Sequence, residues 1–404
     1  MNKTGYLFVP TDERALERYN AFPKVTDIFP VYSVGIVTAR DRLTIRWTPE
    51  EVWTTVLNFS RMDPELAREA YKLGKDARDW KVPLAQEDLR RSGPKREHIV
   101  PILYRPFDVR YTYYTGQSRG FIGQPQRRLM CHMLAGKNLA MCTTRNVEIG
   151  QGFQHVFCTS HLIQHHAVSL KEVNYLFPLY LYSGRDEGKL LSTHPAVKQR
   201  ANLNPDLLQA LAKAYGREPT SEDIFQYVYA VLYAPSYREK YAQLLRIDFP
   251  RIPFTSDYEL FKRMAELGRR LVDLHLLRSP ELDPPIARFQ GEGDGEVQTG
   301  KKGLRYDPES ARVYINETQY FEGVPPEVWE YHIGGYQVCH KWLKDRKNRD
   351  KGLSADEIRT YCRIVTALAK TIEVQCRINR LYHMIEDNLL VPLARGLQQE
   401  GGSR

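Results

Sequence analysis

Six cysteines serve 404 residues, at positions 131, 142, 158, 339, 362 and 376. No run of eighteen apolar residues occurs, so no helix of the chain is expected to span a membrane. The opening Met-Asn-Lys-Thr-Gly-Tyr lacks the apolar core of a secretion signal. Free thiols in a reducing cytoplasm are therefore expected. The Gly-x-x-x-x-Gly-Lys-Ser/Thr phosphate loop of NTPases is missing. No Gly-x-Gly-x-x-Gly sits between a strand and a helix, and there is no Gly-x-Ser-x-Gly elbow. Also missing is Asn-Pro-Pro-Tyr or Asp-Pro-Pro-Tyr, the tetrapeptide with which adenine-amino methyltransferases hold a flipped base. No internal repeat is visible.

What is present is an ordinary globular balance, 42% hydrophobic and 26% charged, with 25 tyrosines. The length suffices for one large core or two to three smaller ones. The formal charge is +9, which points to a polyanionic partner. Between Lys95 and Ser160 nine Lys/Arg face three Asp/Glu, so this short span carries +6 of that excess. Within it, Tyr104 to Phe121 interleaves Arg105, Arg110 and Arg119 with Tyr111, Tyr113, Tyr114 and Phe121. Arginine forks bind phosphate or guanine edges, and aromatic faces stack on bases or pack a core. Gly116 and Gly120 allow a turn or close approach to a ligand. The competing reading is an edge hairpin with half-buried tyrosines.

Periodicity predicts strands over 6–10, 34–38, 43–47, 99–104, 111–114, 138–145, 155–158 and 175–182, the last interrupted by Pro178. A turn is expected at Ala39–Arg42. Helices are expected from Thr48-Pro49 through Phe59, then through Tyr71, and over 129–134. From Pro205 the period becomes helical, with Ile224, Phe225, Val228, Val231 and Leu232 on one face. Ser256-Asp257-Tyr258-Glu259 reads as a capping box. It opens a seam of Leu260, Met264, Leu267, Leu271 and Leu274, in which Gly268 permits close approach. The Gly/Pro-rich stretch 279–302 reads as the main boundary. A β-meander over 305–321 and a second capping box at Ser354, opening a long helix, follow it.

Cys158, His161 and His165, with Cys142 upstream, have spacing that suits zinc. The alternative is a strand cysteine followed by loop histidines facing solvent or DNA. The second Cys-x-x-Cys of a zinc ribbon is missing, so no metal is the preferred reading. The basic run Lys344–Lys351 reads as a solvated face.

Several strings together resemble a known family. They are Tyr104-Arg105-Pro106-Phe107-Asp108-Val109-Arg110-Tyr111-Thr112-Tyr113-Tyr114-Thr115-Gly116, Arg119-Gly120-Phe121, Met130 with His132, and Phe177-Pro178-Leu179-Tyr180-Leu181-Tyr182. Tyr229-Ala230 to Ser236-Tyr237-Arg238, Asp248-Phe249-Pro250-Arg251-Ile252-Pro253, and Leu267-Gly268 with Leu274-His275-Leu276 extend the match. Val34 to Asp41 and Gly74-Lys75-Asp76 with Arg78-Asp79-Trp80 look like the segment just before that region. The pattern resembles the C-terminal target-recognition (specificity) region of Type ISP restriction–modification enzymes, with relatives among Type IIG enzymes.

The resemblance implies a sequence-specific double-stranded DNA recognition module that is not itself catalytic. It would position an adenine-N6 methyltransferase domain or subunit for phage defence in the cytoplasm. No cofactor is expected on this chain, since S-adenosylmethionine would bind the methyltransferase. The implied DNA contacts are Arg105, Arg110, Arg119, Arg127, Arg128 and Arg145, divided between phosphate and guanine, with Gln124, Gln126 and Asn146 at adenine edges. Tyr113 and Tyr114 either pack the lobe or touch the DNA backbone, and His165 is a further base-reading candidate. Arg105 has an alternative as the structural partner of Asp108. The fold expected is α+β. Residues 1–95 would be a lead-in to a methyltransferase. Residues 96–278 would be the recognition domain, with a β-rich lobe over 96–182 and helical support over 205–278. A linker at 279–302 would lead to a β-meander and helices over 303–404. The alternative from another class is a stand-alone metal-dependent nuclease, or other enzyme, built on Cys158, His161 and His165.

Overall fold

The computed structural model describes residues 13–148, 152–183, 198–300, 302–347, 349 and 351–390. The strand expected over 6–10, most of the loop after Ser183 and the C-terminal tail lie outside those residues. The class is α+β, as expected: small, mostly antiparallel sheets against a helical layer.

The opening stretch forms a hairpin of Ile99–Arg105 with Asp108–Tyr113. Ile45–Arg46 extends it on one side, and Leu162–Ile163 lies parallel to it on the other. In a second sheet Ala140–Thr144 runs between Asn174–Pro178 and Val156–Thr159. Every residue of Ala140–Thr144 is buried, so both faces of this central strand are covered. Pro178 ends one strand of that sheet. After Leu179 the chain continues as Tyr180–Ser183, paired with Lys198–Ala201, so the proline marks a passage between sheets. Two expected strands are shorter than their apolar runs. Ser33–Val34 and Ile45–Arg46 flank a helical turn, Asp41–Thr44, where a plain turn was predicted. Thr38 Oγ1 bonds the Asp41 carboxylate there and fixes the helical entry.

The helix Pro49–Arg61 starts as predicted, with Thr48 Oγ1 accepting from the Glu51 amide at 3.2 Å. The helix Ser221–Tyr233 departs from its predicted single apolar face and is buried almost all round. It packs on Tyr258–His275 and on the 33-residue helix Ala355–Asp387. Its tyrosines keep their hydroxyls bonded, Tyr227 to Pro253 O at 2.8 Å and Tyr233 to Val156 O at 2.7 Å. The second bond ties the helical layer to the sheet. Tyr229 Oη meets His275 Nδ1 at 2.7 Å, and His275 Nε2 meets Thr371 Oγ1 at 3.0 Å, so one imidazole joins three helices. Burial pushes the pKa of His275 down to about 3 and keeps it neutral. Gly268 lets its helix approach the Ser221–Tyr233 helix closely: a Cβ there would fall 1.8 Å from Gln226 O. The cap before Tyr258 is Asp257 and not the predicted Ser256, because the Asp257 carboxylate reaches the amides of Glu259 and Leu260.

The predicted meander is present as Arg305–Asp307, Arg312–Tyr314 and Tyr320–Glu322, and Arg288–Gln290 adds a fourth strand. Phe321 meets Tyr361 of the long helix at a ring distance of 4.3 Å. That helix begins at Ser354 with the predicted capping box, in which Ser354 and Glu357 bond each other's amides.

Candidate nucleic-acid interface

The loop from Thr115 to Phe121 is held at both ends by one carboxylate. Asp88, buried on the helix Val82–Ser92, accepts from Thr115 Oγ1 at 2.8 Å and from the Phe121 amide at 2.9 Å. Burial raises its pKa, and these donors offset part of that rise. Gly120 fits against this clamp only because it lacks a side chain, since a Cβ would lie 2.2 Å from Asp88 Oδ2. The neighbouring Trp80 is buried, and its Nε1 donates to Phe121 O at 3.1 Å. Tyr114 Oη donates to Pro125 O at 2.7 Å and anchors the next segment.

The clamped loop, that segment and residues 31–33 line an open concavity of about 620 Å3. Five predicted contact residues line it: Arg119, Gln124, Gln126, Arg127 and Arg128. The arginines are exposed, and among the described residues none has a carboxylate at ion-pair distance. Arg119 and Gln126 both adopt left-handed backbone, with φ of 57° and 52°. Such strain in non-glycine residues concentrates at ligand sites. Arg127 and Arg128 occupy the first turn of the helix Arg127–Leu134, which has no acidic residue there and no side-chain cap. Cations at the positive end of a helix dipole oppose stability, so their placement favours a bound anion.

The other predicted contacts lie elsewhere, and four are interior. Tyr113 and Tyr114 are fully buried and pack the lobe, which was one of their two readings. The Lys95 amide donates to Tyr113 Oη at 3.0 Å. Arg105 is 5% exposed and spends Nη1 on Tyr104 O, Gln164 Oε1 and His166 O. Its predicted partner Asp108 instead holds Arg110 at 2.7 Å and Arg346 at 3.0 Å. Arg110 is thus committed internally and stacked 3.7 Å from the Trp47 ring centroid, so it is corrected from DNA contact to scaffold. In the basic run Lys344, Lys347 and Lys351 are exposed, as a solvated face requires, but the expectation is corrected for its arginines. Arg346 and Arg349 share Glu357 at 3.1 and 2.7 Å, and both guanidiniums lie over Trp47. Burial would raise the pKa of Asp108, but Arg110 and Arg346 outweigh it and hold it at about 2.

Arg145 pairs with Asp248 at 3.0 Å, while Asn146 bonds Glu148 at 3.4 Å. His165 lies against His166 with ring centroids 3.5 Å apart, and burial lowers its pKa to about 4. None of the three lines the concavity. The zinc alternative fails on register. Cys142 opposes Phe157 and Cys158 opposes Met141, so the two thiols point to opposite faces of the sheet. Burial pushes Cys158 up to about 12, away from the thiolate a metal needs. Among the described residues no three His, Cys, Asp or Glu groups come together as metal ligands.

Sequence reasoning missed two carboxylates that matter here. Asp88 offered no motif. Asp79 also lines the concavity and stood inside the Arg78-Asp79-Trp80 string, where its role was invisible without the fold.

A family model, the Type ISP C-terminal specificity domain, matches residues 27–375. No curated protein matches the chain. Among solved structures, the chain is similar to a DrdV–DNA complex at 22% identity and TM-score 0.65, covering 89% of this chain and 38% of that one. It is similar to the ATP-dependent Type ISP restriction-modification enzyme LlaBIII bound to DNA at 19% identity and TM-score 0.64, covering 87% and 24%. A third likeness is to a nuclease-deletion mutant of the Type ISP enzyme LlaGI in complex with a DNA substrate mimic, at 19% identity and TM-score 0.61, covering 90% and 34%. These likenesses establish the fold. The chain spans well under half the length of each of the three.

Proposed function

We propose a function from one premise: the chain belongs to the Type ISP C-terminal specificity domain family. It recognises a specific sequence in double-stranded DNA for a restriction–modification enzyme and does no chemistry itself. Its partners are the duplex and an adenine-N6 methyltransferase, carried as a further domain or a separate subunit, which would bind S-adenosylmethionine. The work is cytoplasmic and serves phage defence.

The observation that carries this reading is the concavity. Three exposed, unpaired arginines and two glutamines converge on a helix start whose dipole already favours an anion. Arg127, Arg128 and the adjacent amides suit phosphate, whereas Gln124 and Gln126 suit adenine edges. The test is duplex affinity by fluorescence anisotropy for the chain and for its Arg119→Ala/Arg127→Ala/Arg128→Ala variant. The variant is expected to bind roughly tenfold more weakly or worse. Equal affinity would remove the concavity from the reading.

A further inference from the structure

Inside the concavity one amide is already oriented. Gln124 Nε2 donates to Asp79 Oδ2 at 3.2 Å. Asp79 also accepts from the solvent-exposed fork of Arg78, with Nε on Oδ1 at 2.9 Å and Nη2 on Oδ2 at 2.7 Å. The backbone below is pinned as well, because Gln124 and Val37 exchange amide bonds at 3.0 and 2.9 Å. A glutamine amide normally presents either of two faces, donor or acceptor reversed. Here the reversed amide would set its oxygen against a carboxylate, two acceptors with no proton between them. Among the described residues the observed orientation leaves Oε1 and one N–H without a partner. That donor–acceptor pair matches N6 and N7 of adenine in the major groove.

We propose that Asp79 is a positioning residue for base selection: it locks Gln124 in the orientation that reads adenine, and so sets one base pair of the recognised site. Asp79 does not touch the base; it acts through Gln124. The inference rests on the duplex-reading function above and adds the base type and the residue that enforces it.

The experiment is selection from a randomised duplex pool, followed by affinities for single-base variants of the selected site. It uses the full chain, Asp79→Ala, Gln124→Ala and the double variant. The wild type is expected to select adenine over guanine at one position by roughly ten- to hundredfold. Asp79→Ala flattens that position and leaves the others intact. Gln124→Ala does the same, and the double variant adds nothing further. A purely structural Asp79 would instead weaken all duplexes alike and leave the preference at that position unchanged, which overturns the inference. A preference lost in Gln124→Ala but kept in Asp79→Ala also overturns it. If the wild type selects no sequence at all, the duplex-reading function itself falls.

Discussion

Arg110 and Arg119 stand on the same stretch of chain, and the fold uses them differently. Arg110 lies in a buried lattice where Asp108, Arg346, Glu357 and Arg349 alternate in sign around the Trp47 and Trp342 rings. Each guanidinium there has an acid, and its flat face rests on an aromatic ring. Arg119 lies on a clamped loop over open space, beside Arg127 and Arg128 and two glutamines, and the one acid in the lining, Asp79, feels its charge but is not at ion-pair distance from it. Pairing separates scaffold from surface. An arginine whose donors are already taken holds the protein together. One whose donors are free, and whose backbone is strained into place, is available to a ligand.

The largest effect that could break this comparison is on stability. Arg346→Ala would leave Asp108 buried and half-paired, and unfolding in urea should show a loss of roughly 3–5 kcal/mol. Loss of DNA affinity with full stability would place Arg346 with the surface set instead. Gly120→Ala comes next, because its Cβ collides with the Asp88 clamp. A cost of about 1–3 kcal/mol is expected in thermal melts. Duplex affinity should fall with it, although the substitution adds and removes no charge. Acid titration sharpens the contrast further. Asp108 has its pKa depressed from 3.8 to about 2, so its stabilisation is present above pH 3.8 and is lost as pH falls toward 2. His275, also depressed, withdraws stability earlier, as pH falls from 6.5 toward 3. Equilibrium unfolding against pH should therefore decline in two stages, and a flat profile down to pH 3 would refute the neutral, buried His275. The smallest effect belongs to Arg127→Ala/Arg128→Ala, whose melting should move by less than about 0.5 kcal/mol.

Much of the fold was legible because local signals agreed. Thr48-Pro49 and Ser354 start helices where their caps place them, and the leucine seam with Gly268 packs as its spacing requires. Errors arose where tertiary partners decide. Lys344–Lys351 has the composition of a solvated face, yet Asp108, distant in sequence, draws Arg346 inside. The arginines in the Tyr104–Phe121 stretch are chemically alike, and only the fold separates Arg110, on a hairpin strand, from Arg119, on the loop beyond it. The concavity was half visible: its arginines and glutamines stood out, whereas Asp79 and Asp88 come from an earlier segment and meet them only in three dimensions.

The most direct test of the account is the salt dependence of duplex binding, measured for the wild type and for the variant lacking Arg119, Arg127 and Arg128. The slope of log affinity against log salt should shrink by about 0.9 for each of these arginines that neutralises a phosphate. A slope and affinity identical to the wild type at every salt concentration would contradict it.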